Sequence, residues 1–138
     1  MRGQRVLLVI LIANIVSTGL HYTDNFLRVD RYPQPALVPL VATQIAIVVA
    51  WPVLTVVGLL GYRHFLRGRT WPARACLLIY SFTGLVSLGH FTSGVPSVEW
   101  YWFSTIITDG LAGLALWVFV GWWMSEEARA AADASSAR

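Results

Sequence analysis

The chain has 138 residues, of which 57% are hydrophobic and only 12% are charged. A soluble domain carries about 25% charged residues, and so short a chain cannot bury that much apolar surface within itself. The composition therefore predicts an integral membrane protein. The ten basic residues are all arginines in separate segments, which argues against nucleic-acid binding. The single cysteine, Cys76, excludes an intrachain disulfide and a cysteine-rich metal cluster.

Four apolar segments are predicted to span the membrane as α-helices, at about residues 6–26, 36–62, 72–92 and 101–124. Each is long enough for a hydrocarbon core about 30 Å thick. The first could be mistaken for a signal peptide, but we predict an uncleaved helix because cleavage would leave His21 on a loose tail. Residues 1–124 thus form one all-α domain, a four-transmembrane-helix bundle. Residues 125–138 are a polar, alanine-rich tail with one or two further helical turns.

The arginines predict the orientation of this bundle. Eight of the ten lie in the N-terminal segment, the 63–74 loop or the C-terminal tail, and only Arg28 and Arg31 lie in the other loops. Because basic residues concentrate on the cytoplasmic side, both termini are predicted to be cytoplasmic and the 28–35 and 93–100 loops to be external. The chain is therefore expected to be a multi-pass protein of the cell membrane.

Polar residues recur at helical spacing within the apolar segments. Asn14, Thr18, His21 and Asn25 follow one another at intervals of four, three and four, which is one face of an α-helix. Similar stripes occupy the third helix (Tyr80, Thr83, Gly84, Ser87, His90) and the fourth (Ser104, Thr105, Thr108, Asp109, Ala112, Gly113). Their small residues are typical of closely packed membrane helices.

The polar groups of the four helices are expected to meet in the outer half of the bilayer. His21 and Asp24 lie near the outer end of the first helix and His90 near that of the third, whereas Asp109 lies about two turns deep, roughly 12 Å. The inner half is apolar. This arrangement predicts a pocket that opens towards the outer leaflet.

Ionisable groups at membrane depth are costly and often functional, so His21, Asp24, His90 and Asp109 are the candidate catalytic residues. For His21 and Asp24, an interfacial pair that contacts headgroups or water is an equal alternative. Asp109 is deeper, and we expect it to be neutral, paired or hydrated. The candidate ligand-binding residues are Thr18, Tyr22, Asn25, Gln44, Trp51, Trp102 and Thr105.

The four-helix core, about residues 6–124, resembles the EXPERA family, which includes emopamil-binding sterol isomerases and the sigma-2 receptor. The matching features are His21 with Asp24 and Asn25, Tyr32-Pro33, Gln44, Trp51-Pro52, and Trp71-Pro72 leading to Leu78-Ile79-Tyr80-Ser81. The resemblance implies that a histidine and acidic residues shift a sterol double bond. The chain departs from the family on the second helix, where Thr43 or Gln44 stands in place of an acid. Asp109 would have to replace that acid.

The first functional hypothesis is proton-transfer chemistry on a sterol, isoprenoid or similar membrane lipid, an isomerisation or cyclisation. Asp109 would protonate an alkene, and His21 with Asp24 would take a proton back. Aromatic faces would stabilise the carbocation. This hypothesis requires no cofactor and no metal.

Two other hypotheses stay open. His21 and His90 could ligate a haem or hydrogen-bond a quinone, or bind a divalent metal together with Asp24 and Asp109. Alternatively, the chain is a non-catalytic accessory subunit whose polar stripes only join helices. A second copy of the chain or a membrane complex is a further partner that the sequence leaves open.

Overall fold

The computed structural model describes residues 2–33 and 37–136, and these residues form helices and turns with no strand among them. The helices are α1 (Arg2–Leu27), α2 (Leu40–Leu66), α3 (Thr70–Leu85), the single turn α4 (His90–Ser93) and α5 (Trp100–Ser136). A 3-10 segment, Val86–Gly89, joins α3 to α4, and a 3-10 turn, Val29–Arg31, follows α1.

Four helical stretches are long and apolar enough to cross a membrane: Gly3–Leu27, Leu40–Leu66, Thr70–Ser93 and Trp100–Ser136. The prediction of an all-helical chain with four membrane-length helices is confirmed. The expected start of the second helix at residue 36 lies outside the described residues, and α2 begins at Leu40, directly after Pro39. Of the residues of α2, only Ile47, Gly58 and Gly61 are buried by the rest of the described chain, so most of the apolar surface of this helix faces outward from the bundle.

The helices follow the order α1, α2, α3, α5 around the bundle, since α1 and α3 each contact both α2 and α5. At one end, here called the terminal end, Gly3 packs against Phe65 and Trp122. At the other, the loop end, Asn25 contacts His90 near the ends of the first and third spans. The bundle is therefore antiparallel, with both termini at one end.

An apolar core fills the half of the bundle nearer the terminal end. It is built around Leu7, Leu11, Leu77, Leu116 and Phe119, all nearly or fully buried. The polar face of α1 begins beyond this core, at Asn14, and continues towards the loop end. Polar side chains are therefore buried mainly in the half of the bundle that contains the loop end.

The backbones of α3 and α5 pass very close to each other. Gly84 lies against the backbone carbonyl of Asp109, and Gly113 lies against the carbonyl of Ser81. A side chain at either glycine would overlap backbone atoms of the facing helix, which explains why small residues occur there.

The C-terminal tail is more helical than expected. In place of one or two further turns, α5 continues without a break through the alanine-rich residues to Ser136. Alanine, glutamate and arginine are strong helix formers, so the membrane helix propagates into this segment.

Replacing Gly84 by alanine should weaken the contact between α3 and α5, because the added methyl group overlaps the Asp109 carbonyl, which cannot move aside alone. We expect Gly84→Ala to lower the free energy of unfolding by about 1–3 kcal/mol. Gly121→Ala is the control, since nothing lies within 4 Å of its new methyl group. Unfolding in detergent, followed by loss of helical ellipticity, measures both; equal stabilities would contradict the close contact.

Candidate functional site

Five polar side chains form a buried cluster near the loop end: His21, Asp24, Asn25, Tyr32 and His90, here called the loop-end cluster. The helical spacing of α1 places His21, Asp24 and Asn25 on its buried face, at 1%, 2% and 6% exposure. Tyr32, 2% exposed, folds in from the turn after α1, and His90 comes from α4. The chain thus collects two imidazoles, a carboxyl, an amide and a phenol at one level.

The two imidazole rings lie together at the centre of this cluster. The centroids of His21 and His90 are 5.5 Å apart in an edge-to-face arrangement, and the ring of Tyr32 lies 4.8 Å from that of His90. Thr105 Oγ1 is 3.3 Å from His21 Nδ1, and Asn25 Nδ2 is 3.1 Å from His90 Nε2. Each imidazole therefore has a polar neighbour that orients it, and four of the predicted site residues meet here.

Asp24 has its own partners and does not serve the histidines directly. The hydroxyl of Tyr32 donates to Asp24 Oδ2 at 2.7 Å, and Arg28 Nε lies 3.2 Å from Oδ1. Burial raises the pKa of Tyr32 above its usual value, and the hydrogen bond to Asp24 raises it further. The phenol therefore stays protonated and remains a donor, so Asp24 acts as a fixed acceptor that positions Tyr32 against the two histidines.

Ion pairs between the two loops cover the loop-end cluster. Glu99 accepts from Arg28 at 2.6 Å and from Arg31 at 3.3 Å, and the Ser97 amide donates to the Arg31 carbonyl at 3.0 Å. The Arg28 guanidinium also lies over the ring of Trp102, 5.6 Å from its centroid. A single exposed ion pair contributes little to the free energy of unfolding, but here several of them connect two loops across the end of the bundle. Direct access to His21 from that end is consequently closed.

A groove of about 210 Å³ reaches the histidines from the side of the bundle. Its floor is α1, with His21, Tyr22 and Asn25, and its walls are α2 and the 3-10 segment with α4. The wall residues are Thr43, Ala46, Ile47, Ala50, Val86, Ser87 and His90. The groove is thus polar at the histidines and mostly apolar elsewhere, with the hydroxyls of Thr43 and Ser87 on its walls.

A second groove, of about 290 Å³, follows the junction of α1 and α2 and includes Trp51 and Pro52. It shares Tyr22 and Ile47 with the first groove, so these two side chains separate the two spaces. Both grooves face the side of the bundle, where lipid would lie.

Asp109 lies in a different polar group, here called the Asp109 cluster, with Ser17, Ser87 and Thr108. Ser17 donates to Oδ1 of Asp109 at 2.5 Å and Ser87 donates to Oδ2 at 3.1 Å. Asp109 is fully buried and does not line the groove beside the histidines, whereas Ser87 belongs to both.

Three further predicted ligand-binding residues connect helices. Trp51 Nε1 donates to Thr18 Oγ1 at 3.1 Å, and Tyr22 Oη donates to the Thr83 carbonyl at 3.0 Å. Gln44 Nε2 donates to the Phe26 carbonyl at 3.0 Å. Of the three, Tyr22 and Trp51 also line the two grooves described above, while Gln44 lines a third groove with Phe26 of α1.

Sequence reasoning missed Tyr32, Arg28, Ser17 and Ser87 as site residues. Tyr32 and Arg28 lie in a loop, where helical periodicity does not predict which side chains are buried. Ser87 belongs to a stripe of small residues that is typical of helix packing. The Arg28 side chain follows Asp24 by four residues, a spacing typical of helical ion pairs, and that signal could have identified it.

No protein-family model, curated protein or solved structure matches the chain. The resemblance to the EXPERA family therefore stays a prediction, and function has to be argued from the residues themselves.

The haem and metal hypotheses fit this geometry poorly. A haem between His21 and His90 would have to pass between rings whose centroids are 5.5 Å apart and which Tyr32 also contacts. Within residues 2–33 and 37–136, no group of three histidine, cysteine or acidic side chains is placed to hold a metal ion. The four residues considered for a divalent metal are instead divided between the two polar clusters.

Replacing Tyr32 by phenylalanine should leave the buried Asp24 with Arg28 as its remaining side-chain partner. We expect the free energy of unfolding to fall by about 1.5–3 kcal/mol, the range for hydrogen bonds to charged groups. Tyr101→Phe, at a 45% exposed tyrosine, is the matched control and should change little. Thermal unfolding compares the two; a Tyr32→Phe protein as stable as the control would remove Asp24 from its positioning role.

Proposed function

We propose that the chain is a multi-pass protein of the cell membrane that binds a sterol, isoprenoid or similar lipid in the groove beside His21 and His90. The observation that carries this proposal is the composition of that groove. Two imidazoles and an amide lie at its floor and edge, while Ala46, Ile47, Ala50 and Val86 make most of the rest apolar. A long apolar molecule with one polar or unsaturated position fits such a surface.

The histidine pair supports acid–base isomerisation of the bound lipid. One imidazolium, at His90, gives a proton to a carbon–carbon double bond, and the neighbouring imidazole of His21 removes a proton from the adjacent carbon. One proton enters and one leaves, so the double bond shifts without any change of oxidation state. The ring of Tyr22 lines the same groove and would stabilise the positive charge on carbon.

This proposal changes the roles expected from the sequence. Asp24 is held by Tyr32 and Arg28, which favours positioning over proton transfer. Asp109 lies behind Ser87 and does not line the groove, which favours His90 over Asp109 as the group that meets the lipid.

A non-catalytic accessory role is the second candidate, and one observation favours it. Most polar side chains in the bundle already bond across helices, as Trp51 does to Thr18 and Tyr22 to Thr83. Such bonds would be expected if the polar residues served only to join helices.

Filling the groove should displace its lipid. Ala46 lines the groove, and a tryptophan there would occupy much of its about 210 Å³, whereas Ala42, one turn earlier on the same helix, does not line it. We expect lipids identified by mass spectrometry after purification to include a sterol- or isoprenoid-like species with the wild type and Ala42→Trp. That species should fall about tenfold with Ala46→Trp, a loss of about 1.4 kcal/mol in binding. Equal amounts of this lipid in the Ala46→Trp and Ala42→Trp proteins would argue against lipid binding in this groove.

Proton transfer should be detectable as incorporation of solvent deuterium into the co-purified lipid. In deuterated water, the wild type should introduce deuterium at the shifted double bond, and His21→Gln and His90→Gln should reduce the rate at least about 100-fold. His64→Gln, outside the loop-end cluster, is the control and should exchange normally. Retained lipid without exchange in the wild type would favour the accessory role.

The proposed orientation places the loop end outside the cell. In a Cys76→Ala background, a cysteine at the exposed Ser97 should react with an impermeant thiol reagent added to intact cells, and one at the exposed Gly68 should not. The opposite labelling pattern would reverse the orientation and place the proposed groove in the inner leaflet.

A further inference from the structure

Asp109 is a fully buried carboxyl surrounded by oxygen atoms from three helices. Its two oxygens face the hydroxyls of Ser17 on α1 and Ser87 on the 3-10 segment, at 2.5 and 3.1 Å. Thr108, beside Asp109 on α5, brings a third hydroxyl within 2.9 Å of Ser17. The immediate neighbours are therefore hydroxyl groups, which can turn to present either a proton or a lone pair.

Among the described side chains, none of the salt bridges balances the negative charge of this carboxyl with a cation. The ion pairs in the described part of the chain connect Asp24, Glu99, Glu126 and Glu127 with arginines, and none involves Asp109. An unbalanced charge within a membrane-length helix costs several kcal/mol, so such a group binds a cation or a proton.

The third span departs from α-helical geometry beside the same carboxyl. Hydrogen bonding changes to the 3-10 type at Val86–Gly89, the segment that carries Ser87. The Thr83 carbonyl, one turn earlier, accepts from the Tyr22 hydroxyl at 3.0 Å and lies 3.5 Å from Ser87 Oγ. Membrane helices that lose α-helical hydrogen bonding within the span can supply backbone carbonyl oxygens to bound cations, and the continuous stretch Thr70–Ser93 changes its hydrogen bonding at this point.

We propose that the Asp109 cluster is a binding site for a sodium ion. Both carboxylate oxygens, the hydroxyls of Ser17 and Ser87 and the Thr83 carbonyl provide the hard oxygen ligands that such a cation prefers. The two serine hydroxyls would keep their hydrogens but turn them away from the carboxylate, and the ion would lie among the oxygen atoms in their place. One positive charge neutralises one carboxylate, which removes the cost of burying it.

Ser87 also gives the ion a route to the site. It lines the side groove together with His21 and His90, and its hydroxyl contacts Asp109 from the other side. An ion entering the groove therefore meets Ser87 before Asp109. The inference does not depend on a lipid being bound in that groove, because the ligands of the ion are protein atoms.

Thermal unfolding in detergent tests the site, with choline chloride replaced by sodium, lithium or potassium chloride at constant ionic strength. We expect sodium to raise the Tm of the wild type by about 3 °C or more at concentrations about ten times the Kd. Asp109→Asn keeps the shape of the side chain but removes its charge: the amide oxygen accepts from one serine, and the amide NH2 donates to the other serine hydroxyl, which can turn to accept. The variant should therefore fold and lose the sodium effect. Ser104→Ala, at an exposed hydroxyl on the same helix, should keep it.

Labelling by a hydrophobic carbodiimide distinguishes the cation from a proton, because the reagent modifies a protonated buried carboxyl. Intact-mass analysis should find one adduct on the wild type in choline chloride, at least about fivefold less in sodium chloride and none on Asp109→Asn. Ser87→Ala should need more sodium for the same protection. If the adduct yield is the same in sodium and choline chloride and the Tm does not depend on the salt, Asp109 binds only a proton. That result would overturn the proposal. If the protein fails to bind lipid but sodium still reduces the labelling of Asp109, the proposed function is wrong and the sodium proposal is unaffected.

Discussion

The structure depends on the cost of placing polar groups inside an apolar bundle. Each buried polar group needs a partner within the protein, because lipid offers none. For several of these groups the partner comes from another helix or from a loop: Trp51 bonds to Thr18, Tyr22 to the Thr83 carbonyl, and Asp24 to Tyr32 of the loop after α1. These bonds are consistent with the rotation of the helices, in which the polar stripe of α1 faces inward along the half nearer the loop end.

The same requirement divides the polar residues into two groups with different chemistry. In the loop-end cluster, Asp24 has an arginine beside it, and the histidines are left with neutral neighbours. In the Asp109 cluster, the carboxyl accepts hydrogen bonds from the hydroxyls of Ser17 and Ser87, and no salt bridge in the described part of the chain involves it. One carboxyl is thereby balanced within the protein and the other is not. This difference, rather than depth alone, separates a positioning role from a proposed ion site.

Close backbone contact fixes the relation between the two clusters. Gly84 lets α3 approach the Asp109 carbonyl, and the span then changes to 3-10 geometry, which turns Ser87 towards Asp109 while it remains in the groove. His90 follows in the next turn and contacts Asn25. The third span therefore connects the groove with the buried carboxyl, and a change at Gly84 is expected to affect both.

The sequence by itself determined the four membrane-length helices, since long apolar runs have few alternatives, and helical periodicity placed Thr18, His21 and Asn25 on one buried face of α1. It also indicated that His21 and His90 lie at one level. Only the tertiary structure decided which groups meet. Tyr32 reaches Asp24 through a loop conformation that periodicity does not encode, and Asp109 faces Ser17 and Ser87 because of how three helices are rotated and spaced. Spacing along one helix defines a face, but contact between helices depends on packing between residues far apart in the chain.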